Sequence, residues 1–201
     1  MKAKEFMENF TKRVYSLPGV VDKYWKADYS EFTDLIISQV IDPIIQYVGW
    51  YNLSHEYFHI DASGWTSRSD EIEAEAKELE LIPHKWDLKI AVEHENDRRD
   101  WTDEAAKLMH VRCPLKVVIG YTDSRYRDGN PKSDAAKVSR VKQWMQDLDA
   151  VKQMPADEEF LIILGNAVKR PDASDPERSI DYRGYVLQKD PETQELEITR
   201  C

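Results

Sequence analysis

The sequence predicts an α/β domain built on a central mixed sheet flanked by helices, and three observations carry that reading. Residues 115–121 and 160–164 are β-branched, apolar runs of the kind that fill the middle of a sheet. Residues 86–95 alternate in polarity as a strand does, and amphipathic stretches at helical spacing stand before, between and after these segments. The chain of 201 residues, 41% hydrophobic, can bury one substantial core but not two independent ones. Residues 1–201 are therefore read as a single domain with its core at about 30–165, an N-terminal helical arm at 1–18 and a C-terminal extension at 166–201.

Taken in order, residues 2–15 place Phe6, Phe10 and Val14 at helical spacing before a Leu17-Pro18-Gly19 stop. Ser30 is a plausible N-cap for a longer helix whose apolar face runs from Phe32 to Val48, with Pro43 kinking or dividing it. Over 56–62 the alternation predicts one half-buried strand, with Phe58, Ile60 and Ala62 on one side, His59 and Asp61 on the other, and Gly64 weakening its end. Residues 69–80 predict an inserted acidic helix with Ile72, Ala76 and Leu79 on a thin apolar stripe. In the strand at 86–95, Leu88, Ile90, Val92 and His94 face one way, and Asp87, Lys89, Ala91, Glu93 and Glu95 the other. Thr102 is expected to cap a helix at 103–111, with Asp103 and Glu104 complementing its dipole. Ser133 caps another, marked by Val138, Val141, Met145 and Leu148, and residues 182–187 and 195–199 pair across Asp190-Pro191 as an edge hairpin.

Composition excludes several classes. No run approaches the ~18–20 apolar residues of a membrane span, and residues 1–10 lack a secretory leader, so the expected location is cytoplasmic. Two cysteines, Cys113 beside an apolar strand and Cys201 at the last position, do not make a disulfide framework. The net charge of −10 argues against a general nucleic-acid coat protein. It hides an asymmetry: residues 67–95 carry four basic and nine acidic residues, whereas residues 96–145 carry eleven basic and seven acidic. A Gly-rich phosphate loop, a His-Glu-x-x-His zinc motif, a Cys-x-x-Cys pair and a nucleophilic-Ser elbow are all absent from the sequence.

The candidate site is a set of carboxylates. Residues two apart on a strand share a face ~6.6 Å apart, so Glu93 and Glu95 project side by side. Two such charges repel by roughly 2–3 kcal/mol at an effective dielectric near 20, and water, a basic side chain or a cation must relieve that cost. Asp61 on a neighbouring strand would favour a cation, because Mg²⁺ takes a few carboxylates and completes its shell with waters and phosphates. The bland alternative is a strand's ordinary wet face. His94 points with the core-facing set as a structural histidine, His59 is at most a support for Asp61, and the His55/His59 spacing would suit zinc only on a helix.

The order helix, strand with Asp61, strand with Glu93 and Glu95, helix, apolar strand resembles the PD-(D/E)xK nuclease superfamily over residues 31–121. The resemblance implies a restriction-endonuclease-like αβββαβ core, with Asp61 as the motif Asp, Glu93 at the acidic position and Glu95 in place of the motif Lys. The 32-residue separation of Asp61 and Glu93 is long for that family and is accounted for by the insertion at 69–80. Two positions depart from the pattern: Ile60 stands where the motif has Pro, and Glu95 replaces Lys. The implied activity is Mg²⁺- or Mn²⁺-dependent hydrolysis of phosphodiester bonds, DNA before RNA, with Asp61, Glu93 and Glu95 holding the ion. Glu95 is alternatively a base for the water. The missing cation is supplied by Lys89 or Lys107, unless both are solvated surface lysines, and a first-helix acid is either Glu31 or Asp34. Arg98, Arg99, Arg125 and Arg127 are placed to reach a phosphate backbone, and Trp101 and Trp144 either stack on bases or belong to the core. Compatible partners are nucleic acid, a second copy in a homodimer or another protein, and not a membrane. The alternative reading is a catalytically silent nuclease-fold protein acting as a protein-interaction module, to which the acid balance and the missing Lys also point.

Overall fold

The structure is a computed structural model that describes residues 1–25, 29–57, 59–67, 69–81, 87–122, 129–169 and 178–201. Among them, seven strands form one mixed sheet flanked by helices: β1 (Tyr51–Tyr57), β2 (Ile60–Thr66), β3 (Asp87–His94), β4 (Leu115–Thr122), β5 (Glu159–Lys169), β6 (Arg178–Lys189) and β7 (Leu196–Arg200). The strands lie in the sheet in chain order. β1, β2 and β3 are antiparallel, β3, β4 and β5 are parallel, and β5, β6 and β7 are antiparallel again. Parallel neighbours require crossovers, and the helices α6 (Trp101–Met109) and α7 (Asp134–Gln146) supply them.

Two apolar layers sandwich the sheet. Helices α1 (Ala3–Ser16), α2 (Val20–Trp25), α3 (Tyr29–Ile36) and α4 (Asp42–Tyr47) bury Phe6, Phe10, Phe32, Ile36 and Ile44 against Val92, Val117 and Ile163 on one face. On the other face α6, α7 and the short α8 (Asp149–Lys152) cover Ala91, Val118, Phe160 and Ile162. β4 and the described β5 side chains from Phe160 to Asn166 are buried throughout, as apolar runs between two helical layers must be. No described helix is long and apolar enough to cross a membrane.

The expected division of the long helix near Pro43 and the acidic helix at 69–80 are found, whereas the single strand over 56–62 and the Thr102 cap are corrected. The long helix is divided by a π-helical turn at Ile37–Ile41, in which the Asp42 N–H reaches the Ile37 carbonyl. The wider turn immediately before Pro43 accommodates a ring that would collide with the carbonyl four residues back in an unbroken α-helix. The strand expected over 56–62 is two strands, β1 and β2, because the chain reverses at His59, whose φ of 59° is left-handed. Its alternation ran through a hairpin, and no glycine marked the turn. Thr102 does not cap α6; the N-cap position is Asp100, and the Thr102 hydroxyl lies within the helix and donates to the Arg99 carbonyl at 3.3 Å. The acidic helix forms as α5 (Asp70–Glu78), capped by Ser69, yet buries only Ala76, leaving Leu79 exposed.

Candidate functional site

Strand pairing assembles the first two acids. Ala62 lies opposite Val92 across β2 and β3, so Asp61 and Glu93 are the next cross-strand neighbours and their charges act on each other. Asp61 Oδ2 also accepts the His94 backbone N–H at 2.8 Å, which ties the end of β3 to β2. The face that periodicity alone would leave wet is covered by α6, and Glu93 is only 2% exposed. Small side chains at Ala91 and Ala105 lie in the apolar layer beside it.

From α6, Lys107 reaches over the pair. Its ammonium lies 2.8 Å from Glu93 Oε1, forms an ion pair with Glu104 one turn earlier on the helix, and donates to the His59 carbonyl at 2.9 Å. Glu93 Oε1 and Glu104 Oε2 are buried oxygens whose partner is the Lys107 ammonium. Burial pushes the Glu93 carboxyl up to about 8, with Lys107 opposing and the Asp61 and Glu104 charges reinforcing the rise. The upward direction follows from the balance of charges: one ammonium, shared with Glu104, faces three carboxyl groups in a poorly solvated place. Burial likewise raises Asp61, although the His94 N–H pulls the other way. Lys107 is raised, its carboxylate partners outweighing its desolvation.

Glu95 continues the strand by donating its N–H to the Ile119 carbonyl at 2.8 Å. Its side chain lies at a different place from Glu93, on an open cleft of about 1170 Å³ with Tyr29, Thr33, Asp34, Arg98, Arg99 and Lys132. Burial raises its carboxyl, against the hydrogen bond it accepts from Asp97 N–H at 2.6 Å. Arg98 and Arg99 thus flank Glu95; Arg99 is 87% exposed in its side chain and stands 3.6 Å from Asp97. Arg125 and Arg127 lie outside the described residues. Of the two candidate lysines, the structure brings Lys107 to Glu93, whereas Lys89 pairs with Asp87 at 2.5 Å, four residues or ~13 Å along the strand from Glu93. Glu31 pairs with Lys23 at 2.7 Å, and Asp34 faces the Glu95 cleft.

His94 is structural, as its position in the alternation predicts. Its Nδ1 lies 3.2 Å from Thr33 Oγ1 and its Nε2 2.9 Å from Tyr121 Oη, which in turn meets Tyr182 Oη at 3.3 Å. Burial holds the imidazole down to about 3. Trp101 is a core residue, 1% exposed, packed where Gly120 leaves room, while Trp144 is 61% exposed on α7. The contribution that sequence reasoning missed is Glu104, which resembles any first-turn helix acid. Its pairing with Lys107 three residues on was the available signal.

Among the described residues, no group of three or more His, Cys, Asp or Glu side chains converges closely enough to hold a metal ion. The donors at the Asp61 and Glu93 pair are all oxygen, the kind that Mg²⁺ or Mn²⁺ takes, but Glu93 Oε1 is already met by the Lys107 ammonium at 2.8 Å. Comparison with family models, with curated proteins and with solved structures finds no match to the chain.

Proposed function

We propose that the chain is a Mg²⁺- or Mn²⁺-dependent nuclease of the PD-(D/E)xK type that hydrolyses phosphodiester bonds, with DNA as the expected substrate. The observation that carries the reading is a carboxylate pair on adjacent strands, Asp61 half-buried and Glu93 buried, with the Lys107 ammonium against Glu93. The order of elements supports it: α3 to α4, the antiparallel β1, β2 and β3, the crossover α6, and β4 parallel to β3. A buried, charge-crowded carboxylate is costly to keep, and such groups concentrate where chemistry is done.

Asp61 and Glu93 are the residues that would hold the ion, which when bound acidifies a water and draws charge from a phosphoryl oxygen. Lys107 would place the positive charge that the strand lacks at Glu95 next to the phosphate. Arg98 and Arg99, on the open cleft with Glu95, would bind and orient the backbone, while Glu95 lies apart from the Asp61 and Glu93 pair. The test is nicking of supercoiled plasmid under Mg²⁺ and Mn²⁺, with a single-stranded RNA as the competing substrate. Cleavage by the wild type, reduced at least about a hundredfold in Asp61→Ala and Glu93→Ala, is the expected result. Absence of cutting under either metal with either substrate would end the enzyme reading.

One observation favours the second reading, a silent nuclease-fold protein that binds a partner protein: Glu93 is paired with a lysine at 2.8 Å. On that reading the Lys107 pair is a structural ion pair, and removing it changes stability alone.

A further inference from the structure

Helix α7 carries a basic stripe that ends in an open aromatic ring. Val138, Val141 and Met145 bury one side of the helix, while Lys137, Arg140 and Trp144 recur at spacings of three and four on another. That stripe runs about 10.5 Å along the axis. Among the described residues no carboxylate meets Lys137 or Arg140; Arg140 turns to Gln143 Oε1 at 2.9 Å on its own helix. Trp144 is 61% exposed. On a chain of net charge −10, two such cations beside an open indole fit a partner that brings both negative charge and an apolar group.

The chain carries a surface of that kind. On α5 the exposed Glu71 and Glu75, with Leu79 at the C-cap, recur every four residues. Neither acid meets a cation among the described residues, and Leu79, 62% exposed, closes this stripe as Trp144 closes the other. Laid side by side in the same direction, the two helices match step for step: Glu71 by Lys137, Glu75 by Arg140 and Leu79 by Trp144. The steps are about 6 and 12 Å on α5 against about 4.5 and 10.5 Å on α7, a difference that long Lys and Arg side chains absorb. Both stripes are exposed in the single chain, so the contact is one between copies. We propose that the Lys137, Arg140 and Trp144 face of α7 docks α5 of a second copy of the chain. Exposed ion pairs contribute little by themselves, so burial of the indole against the leucine supplies the attraction and the charge pairs fix the register. A specific interface buries roughly 1,000 Å² or more, and a two-fold axis, which gives each α7 the other copy's α5, doubles the contact of one helix pair. The inference concerns association alone and is independent of the nuclease reading.

The experiment is sedimentation equilibrium of the full chain without added metal, with a thermal melt of every variant. The wild type is expected to form a dimer that dissociates on dilution and weakens as salt rises. Arg140→Glu and Glu75→Arg, both at exposed positions, are each expected to weaken the dimer at least about tenfold, because each sets like charges opposite one another. An equimolar mixture of these two variants is expected to associate as tightly as the wild type: the reversed charges face each other in one contact and the native pair remains in the other. Trp144→Ala is expected to weaken the dimer by about tenfold as well. Should a charge reversal not fold, Arg140→Gln and Glu75→Gln are expected to give a smaller weakening. A wild type that stays monomeric at every concentration, or a dimer indifferent to all these substitutions, would overturn the proposal. Failure of the mixture to restore the dimer would overturn the pairing of α5 with α7. A monomeric wild type that binds labelled single-stranded DNA, and loses it in Arg140→Glu and Trp144→Ala, would assign the face to nucleic acid instead.

Discussion

Replacing Glu93 by glutamine tests whether the site keeps a carboxyl where folding alone would not. The wild-type group has a folded-state pKa raised from 4.5 to about 8, chiefly by burial. A raised carboxyl contributes stability that is fully present below pH 4.5, where both states are protonated, and is lost as pH rises through about 8. At 1.36 kcal/mol per pH unit of displacement, the loss is on the order of 4–5 kcal/mol. Glu93→Gln keeps the size but has no proton to lose. Wild type and variant share every other titrating group, so the difference in urea midpoint between them isolates residue 93. That difference is expected to grow from pH 5 to about pH 8 in favour of the variant and to level off above it. Parallel midpoint curves for the two proteins would refute the reasoning, because they would mean that Lys107 and solvent already neutralise the Glu93 charge.

Two further outcomes follow from the packing. A Cβ added at Gly120 would stand 2.6 Å from the Trp101 Cβ, so Gly120→Ala is expected to cost about 1–3 kcal/mol in chemical denaturation; an unchanged midpoint would show that α6 does not sit against β4. The His94 imidazole, held down to about 3 by burial, should show constant ring chemical shifts from pH 8 to pH 5. Because this pKa is depressed below 6.5, the stability it contributes is present above 6.5 and lost as pH falls towards 3, so His94→Gln should lessen the pH dependence of acid unfolding. A titration of His94 near 6.5 would mean that its contacts with Thr33 and Tyr121 do not persist in solution.

What the sequence by itself determined is local and periodic. Apolar runs marked β4 and β5, alternation marked β3, helical spacing marked α1 and α7, and Ser133 marked the helix start it caps. The alternation of β3 also separated His94 from Glu93, and Asp61 and Glu93 were legible as acids on neighbouring strands. The π turn before Pro43 and the reversal at His59 were not legible, since each answers to a fit between elements that no short window of sequence contains. The site divided in the same way. A period of two states which side chains share a face but not what covers it, and only the packing of α6 decided that Glu93 is buried, that Lys107 rather than Lys89 meets it and that Glu104 joins them. Burial, pairing and the displaced pKa of Glu93 are properties of the space between β2, β3 and α6, and that space exists only after residues up to 46 positions apart have been brought together.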